Sequence, residues 1–243
     1  MEHLPSCNSR YKEVEYWDQR YRSETSFEWF GDFSKFQHLI RPHVNKDDSI
    51  LVLGCGNSAL SFDMYSAGFT SITNMDYSSV CIEIMSQRHA DCHGMTWHCM
   101  DARHLAFPDA SFDVVLEKGT LDAMLVEEKD PWHISMEATN FLQQVLSEIS
   151  RVLRPGGRFI SLTFAQPHFR KRLYARTEYG WSVRHHTYGD GFHYFLYVLT
   201  KGEELSAEDA ALERRLKVEA ETSSTDVTFQ EDDPEDFLTN IAL

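Results

Sequence analysis

Between residues 49 and 201 the hydrophobic positions alternate between two spacings. SILVLG (49–54) is a short apolar run closed by glycine, and NSALSFDMYSAG (57–68) has the apolar spacing of a helix ended by Gly68. The alternation then repeats. SITNMD (71–76) predicts a strand, SSVCIEIMSQRHA (78–90) a helix with Ser78 or Ser79 as N-cap, and MTWHCMD (95–101) a strand. FDVVLE (112–117) predicts the next strand, SMEATNFLQQVLSEISRVL (135–153) a long amphipathic helix stopped by Pro155-Gly156-Gly157, and RFISLTF (158–164) a further strand. Strands separated by helices imply a mostly parallel sheet with helices on both faces.

The alternation breaks after that. WSVRHHTY (181–188) and FHYFLYVLTK (192–201) are strand-like runs joined by Gly189-Asp190-Gly191, a turn short enough only for antiparallel neighbours. A seven-stranded α/β sheet ending in a C-terminal antiparallel hairpin is expected. The folded domain is expected to span residues 1–202. Residues 203–243 read as an acidic tail, largely disordered, with 201–221 able to form one exposed helix and a small apolar patch, DFLTNIAL, at the end.

Composition narrows the function classes. The 243 residues, 42% hydrophobic and 13% aromatic, suffice for one sizeable core. No apolar run of about 18 residues and no signal-type N-terminus are present, so the reading is a cytoplasmic protein with no membrane contact. The formal charge is −15, and residues 203–243 hold 13 Asp/Glu against 3 Lys/Arg. An acidic chain speaks against direct nucleic-acid binding, which requires a basic face. Five cysteines without regular spacing fit reduced thiols. His89, Cys92, His93, His98, Cys99 and His104 lie close in sequence but span a helix end, a turn and a strand without CxxC or HxxxH, so no metal site is expected.

LGCGNSA places Gly54, Gly56 and Ala59 in the pattern GxGxx(G/A) between a strand and a helix. Small residues there let a ligand approach the backbone beside a helix N-terminus. Asp76 ends the second strand about 20 residues on, where a carboxylate can accept both ribose hydroxyls. The pattern fits a nicotinamide cofactor or S-adenosyl-L-methionine. Asp101, ending the third strand within reach of an adenine amino group, and the closing hairpin favour the methyl donor. Tyr197 and Lys201 spell YxxxK, but in a strand they stand roughly 13 Å apart, too far to act together as in a dehydrogenase.

ILVLGCGNSAL, VLEKGTLDAML, LRPGGRFI and the GDGFHYFLY hairpin together resemble the class I, seven-β-strand, Rossmann-like S-adenosylmethionine-dependent methyltransferases. YWDQRY, WFGDF, EKGTLD and the acidic ending QEDDPEDFL resemble, more narrowly, the type 4 family of lysine methyltransferases acting on translation elongation factor 1-alpha. The likeness covers residues 11–202 and extends faintly into the tail. It implies S-adenosyl-L-methionine as cofactor, with contacts from Trp17, Tyr21, Trp29, Gly54, Asp76, Tyr77, Asp101, Ala102 and Lys118, and it marks residues 117–122 as needed for transfer. It also implies elongation factor 1-alpha as partner, and a monomer is expected.

Several of these roles make physical sense on their own. Trp17 and Tyr21, at i and i+4, project from one helix face and can form a lid, a packing surface for the core, or both. Glu117, Lys118 and Asp122 follow an apolar strand and should emerge at the crevice: Glu117 and Asp122 to dock an amine and pass its proton to water, Lys118 to contact the cofactor carboxylate or brace the loop. The alternative for EKGTLD is a charged strand-to-helix connection with Thr120 or Asp122 as N-cap. No (N/D)PP(Y/F/W) follows the fourth strand, as base-flipping amino methyltransferases would have it. A small-molecule methyltransferase and a non-catalytic cofactor-binding protein of this fold are the alternatives. Residues 165–180, with Arg170, Lys171, Arg172 and Arg176, can dock an acidic protein or simply solvate a loop.

Overall fold

The computed structural model describes residues 5, 7–128, 130 and 132–227. Both QEDDPEDFL and DFLTNIAL lie outside them. Among the described residues the elements run α1 (Val14–Ser23), α2 (Phe33–Ile40), β1 (Ile50–Leu53), α3 (Leu60–Ser66), β2 (Ile72–Asp76), α4 (Ser79–Arg88), β3 (Met95–Cys99), β4 (Phe112–Lys118), α5 (Thr120–Met124), α6 (Met136–Val152), β5 (Leu153–Thr163), α7 (Pro167–Tyr174), β6 (Trp181–Tyr188), β7 (Tyr194–Lys201) and α8 (Ala207–Val227).

The strands form one seven-stranded sheet in the order β3-β2-β1-β4-β5-β7-β6. β1, β2, β3, β4 and β5 pair in parallel, and β7 runs antiparallel to both β5 and β6. The strand order reverses between β1 and β4, which opens a crevice beyond their carboxyl ends. Leu53 and Glu117 are register partners there.

Alternation along β1 divides the core. Ile50 and Val52 face a cluster with Trp17, Phe36, Ile40 and Met64, while Leu51 and Leu53 face one with Leu142, Val145, Leu146, Ile149 and Trp181. Apolar side chains on both faces explain why the central strands read as continuous hydrophobic runs. Two serines start flanking helices, Ser78 as expected and Ser135 as a cap that the sequence reading had placed inside its helix. Ser78 accepts from the Cys81 N–H at 3.0 Å, and Ser135 from the Ala138 N–H at 3.2 Å.

Two expectations are corrected. β5 begins at Leu153, directly after α6, and Pro155-Gly156-Gly157 does not delay it: Leu153 pairs with Phe112, then the register shifts and Arg158 pairs with Val114. The stretch is absorbed as a bulge. The helix expected to be exposed near residues 201–221 docks instead. In α8, Asp209, Glu213 and Leu216 are buried, with Lys171 2.8 Å from Asp209 and the Thr177 N–H donating to Glu213 at 3.1 Å. No described helix is long and apolar enough to cross a membrane.

Candidate active site

A cavity of about 1110 Å³ opens at the carboxyl edge of the sheet, where β1, β2 and β4 end. Trp17, Tyr21, Trp29, Gly54, Gly56, Asp76, Tyr77, Asp101, Ala102 and Lys118 all line it, as does Asp122. The sequence had scattered these residues over more than a hundred positions.

One wall is aromatic. Trp17 and Tyr21 stack with centroids 5.7 Å apart and an interplanar angle of 24°, and Trp17 donates its indole N–H to the Tyr11 carbonyl at 2.8 Å. Both rings are buried in the core cluster and also line the cavity, so packing and enclosure coincide. Trp29 meets Tyr11 edge-on at 5.8 Å. Phe30 beside it has φ 62°, a conformation costly for a ring-bearing residue; its carbonyl accepts from the Tyr188 hydroxyl at 3.0 Å, which ties the loop to β6.

The glycine turn is locked onto the EKGTLD segment. Gly54 has φ +68°, and a Cβ built on it would lie 2.3 Å from Thr120 Oγ1. That hydroxyl donates to the Leu53 carbonyl at 3.0 Å. The Gly56 N–H donates to Asp76 Oδ2 and the Ser78 N–H to Oδ1, both at 3.0 Å. Burial pushes Asp76 up to about 6, against these backbone donors, which favour its charge. Asp101 is gripped by Arg103, whose Nη2 lies 2.5 Å from Oδ2, and this holds its carboxyl low.

Cys55, inside the turn, lies with Asp76 and Cys81 in a buried group whose donor atoms fall within 4.8 Å of one another. The histidine and cysteine group considered from sequence is not such a cluster; within it Cys92 is buried and Cys99 exposed.

Lys118 and Glu117 leave β4 in different directions. Lys118 Nζ donates to Glu28 at 2.9 Å and to the Trp29 carbonyl at 2.8 Å, so it braces the aromatic loop. Burial pulls its pKa down, while Glu28 pulls it back up. Glu28 also accepts from the Ala59 N–H at 2.6 Å and from Ser58 at 2.8 Å, which fastens the same loop to the start of α3. Sequence reasoning passed over Glu28, although it sits between two aromatics in FEWF.

Glu117 does not reach the cavity. It is 0% exposed and accepts from Ser161, from the Thr120 N–H at 3.0 Å and from the Leu121 N–H at 3.3 Å. Burial first, then the neighbouring Asp122, pushes it up to about 7. Its expected emergence beside the donor is therefore corrected: the strand ends one residue later, and Gly119, at φ +77°, turns the chain into α5. Neither Thr120 nor Asp122 caps that helix; Gly119 holds the N-cap position.

Asp122 does line the cavity. Its Oδ1 accepts from Thr163 at 2.6 Å and from Arg170 Nη2 at 2.5 Å, while Oδ2 is buried and has no partner among the described residues. Burial raises the Asp122 carboxyl, opposed chiefly by Arg170. Arg170 was expected in a docking or solvated segment. It lies instead on the inner face of α7, 2% exposed, with Asp122 holding its guanidinium charged against the cost of burial. Lys171 and Arg172 pair with Asp209 and Glu219 of α8, and Arg176 is half-buried. Internal pairing thus replaces the free basic surface.

Glycine turn, buried acid and aromatic wall around one cavity suit a nucleoside-bearing cation, and the glycines allow the turn to pack against Thr120 and Tyr21.

The comparisons agree with this geometry. A family described as "Methyltransferase domain" matches residues 44–228. The chain is 51% identical to EEF1A lysine methyltransferase 4 of Bos taurus, covering 99% of this chain and 95% of that protein, and 49% identical to that of Mus musculus over the same shares. It is 35% identical to the Homo sapiens eEF1A lysine and N-terminal methyltransferase, over 75% of this chain and 26% of that protein. Among solved structures, an S-adenosylmethionine-dependent methyltransferase from Methanosarcina mazei is similar at TM-score 0.51 and 20% identity, over 69% of this chain and 98% of that one. The [4+2]-cyclase SpnF is similar at TM-score 0.51 and 14% identity, over 70% and 80%. A cyclase on this fold shows that architecture alone leaves the reaction open. Matched over most of its length by the family and over nearly all of it by close relatives, the chain belongs to the methyltransferase-domain family, alongside the proteins named EEF1A lysine methyltransferase 4.

Proposed function

We propose that this protein transfers a methyl group from S-adenosyl-L-methionine to the ε-amine of a lysine in translation elongation factor 1-alpha. The observation that carries the reading is that Asp122, whose buried Oδ2 has no partner among the described residues, lines the same cavity as the aromatic wall and Asp76. The names of relatives matched over nearly the full chain support the choice of protein substrate.

The cofactor supplies a methyl group on a positively charged sulfur. Trp17, Tyr21, Trp29, Gly54, Gly56, Asp76, Tyr77, Asp101, Ala102 and Lys118 are the residues proposed to hold it. Of these, Asp76 suits the ribose hydroxyls, and the rings suit a cation by their π faces, worth about 0.5–2 kcal/mol. Lys118 acts by bracing, since its ammonium is committed to Glu28 and the Trp29 carbonyl.

The acceptor lysine arrives as an ammonium, with an ordinary pKa of about 10.4. Asp122 Oδ2 attracts and orients it, and the enclosed site dehydrates it, which favours loss of a proton to water. A bound cofactor would supply the electrophilic methyl, with its sulfur as leaving group, and Asp122 would hold the neutral amine in line with it. Glu117 stays behind α5, fixing its first turn through two backbone N–H groups.

The test is to incubate the purified protein with labelled cofactor and a cytosolic extract, then with purified elongation factor 1-alpha, and to locate the label by mass spectrometry. Label on a lysine of that factor is expected. Label only on a metabolite overturns the assignment in favour of a small-molecule acceptor.

A further inference from the structure

A guanidinium and a carboxylate that meet in a dry interior usually join by two parallel hydrogen bonds. Arg170 and Asp122 do not. They share a single contact, Nη2 to Oδ1 at 2.5 Å, and leave Asp122 Oδ2, Arg170 Nε and Arg170 Nη1 buried and unpaired among the described residues. Thr163 reinforces the one-sided grip, with its Oγ1 2.6 Å from the same Oδ1 and 2.9 Å from the same Nη2. Of the three unmet polar atoms, Asp122 Oδ2 is the one acceptor, so its hydrogen bonding has room for a further donor.

We infer that Arg170 is a positioning residue for the acceptor amine: from α7 it holds Asp122 by one oxygen and turns the other to the incoming ammonium. The inference rests on the amine acceptor proposed above and deepens it. The charge balance agrees. Glu117, pushed up by burial, can keep its proton, which leaves the Asp122 carboxylate balanced by Arg170 until an ammonium arrives. Glu117 on β4, Arg170 and Tyr174 on α7, and Tyr197 on β7 are the ionisable groups around Asp122. Tyr174 hydrogen-bonds Ser161 at 2.7 Å, and Tyr197 donates to the Ala165 carbonyl at 2.8 Å, so neither fills the place at Oδ2. Phe169 and Leu173, neighbours of Arg170 on α7, also line the cavity, which puts the helix itself in the acceptor wall.

The test uses the full chain with Arg170→Met and Arg170→Lys. Initial rates on elongation factor 1-alpha are measured from about pH 6.5 to 9.5, and cofactor binding by calorimetry. Arg170→Met is expected to lose about 100-fold in kcat/KM at neutral pH through misplacement of Asp122. It should keep its cofactor affinity. Without the guanidinium Asp122 retains its proton to higher pH, so the acid limb of the profile should move upward relative to the unmodified protein. Arg170→Lys keeps a charge there and should restore part of the rate and of the limb's position. An unshifted limb, or a uniform loss at every pH that Lys does not relieve, overturns the inference and leaves Arg170 a packing residue. If the unmodified protein labels only a different amine, the proposed substrate falls, while the Arg170 dependence is read on that amine by the same shift.

Discussion

The two ends of the cavity, proposed to hold the methyl donor and the acceptor amine, are built by different means. The donor end is made from short segments whose own sequence carries the chemistry: stacked rings one helical turn apart in α1, a glycine turn, and an acid at the end of β2. The acceptor end joins Asp122 of α5, Thr163 of β5 and Arg170 of α7, contacts that only the closed sheet creates. A site that binds a large ligand can be distributed along backbone and rings, whereas one that orients a single amine depends on a few buried charges. Damage to the donor end should therefore appear in binding, and damage to the acceptor end in turnover.

The largest effect on activity is expected where both ends share an atom. Gly54→Val would drive side-chain carbons into Thr120 and force a β-branched residue to positive φ. Cofactor binding and methyl transfer should both fall below detection by calorimetry and label incorporation. Next comes Asp122→Asn, which preserves shape and removes charge. It should lower kcat by about 10²-fold or more with unchanged cofactor affinity. A parallel loss of binding would erase the distinction between the ends.

Trp17→Leu sharpens the donor side. It keeps apolar bulk and removes the π face, so the cofactor Kd should rise by about 2- to 30-fold, the range of a cation–π contact. The kcat at saturating cofactor should change little. Equal losses in Kd and kcat would mean that the ring also orients the acceptor.

The same contrast explains what could be read from the chain. Strands buried on both faces, Ser78 as a cap, the hairpin, the glycine turn and Asp76 at a strand end follow from local spacing, whereas Trp17, Tyr21, Trp29, Tyr77, Ala102 and Lys118 are implied only by the family resemblance. Arg170 was illegible because RKR in a polar helix reads as a charge run, and its partner Asp122 lies 48 residues earlier, brought close only by tertiary pairing. Glu28 was masked by the aromatics around it. The acids of α8 looked solvated because nothing in their own segment predicts that Lys171, Arg172 and Thr177 would meet them. Glu117 was misplaced for a geometric reason: a strand end predicts that charge emerges but not on which face, and the alternation of β4 sent Glu117 inward.

Glu117→Gln should have the smallest effect on turnover, since this side chain lines no part of the cavity, and a clearer one on stability. Its folded pKa is raised from the ordinary 4.5 to about 7 because burial penalises the carboxylate. The native state therefore holds this proton more tightly than the unfolded chain does. The resulting stabilisation is fully present below about pH 4.5 and is lost as the pH rises through about 7. A shift of that size corresponds to roughly 3–4 kcal/mol. Urea unfolding at several pH values should show the stability of the unmodified protein falling relative to Glu117→Gln across this window, because the amide keeps its shape without titrating. A constant difference between the two would mean that Glu117 is ionised throughout. The acceptor end would then hold two fixed negative charges, and kcat would be expected to respond to Glu117→Gln about as strongly as to Asp122→Asn.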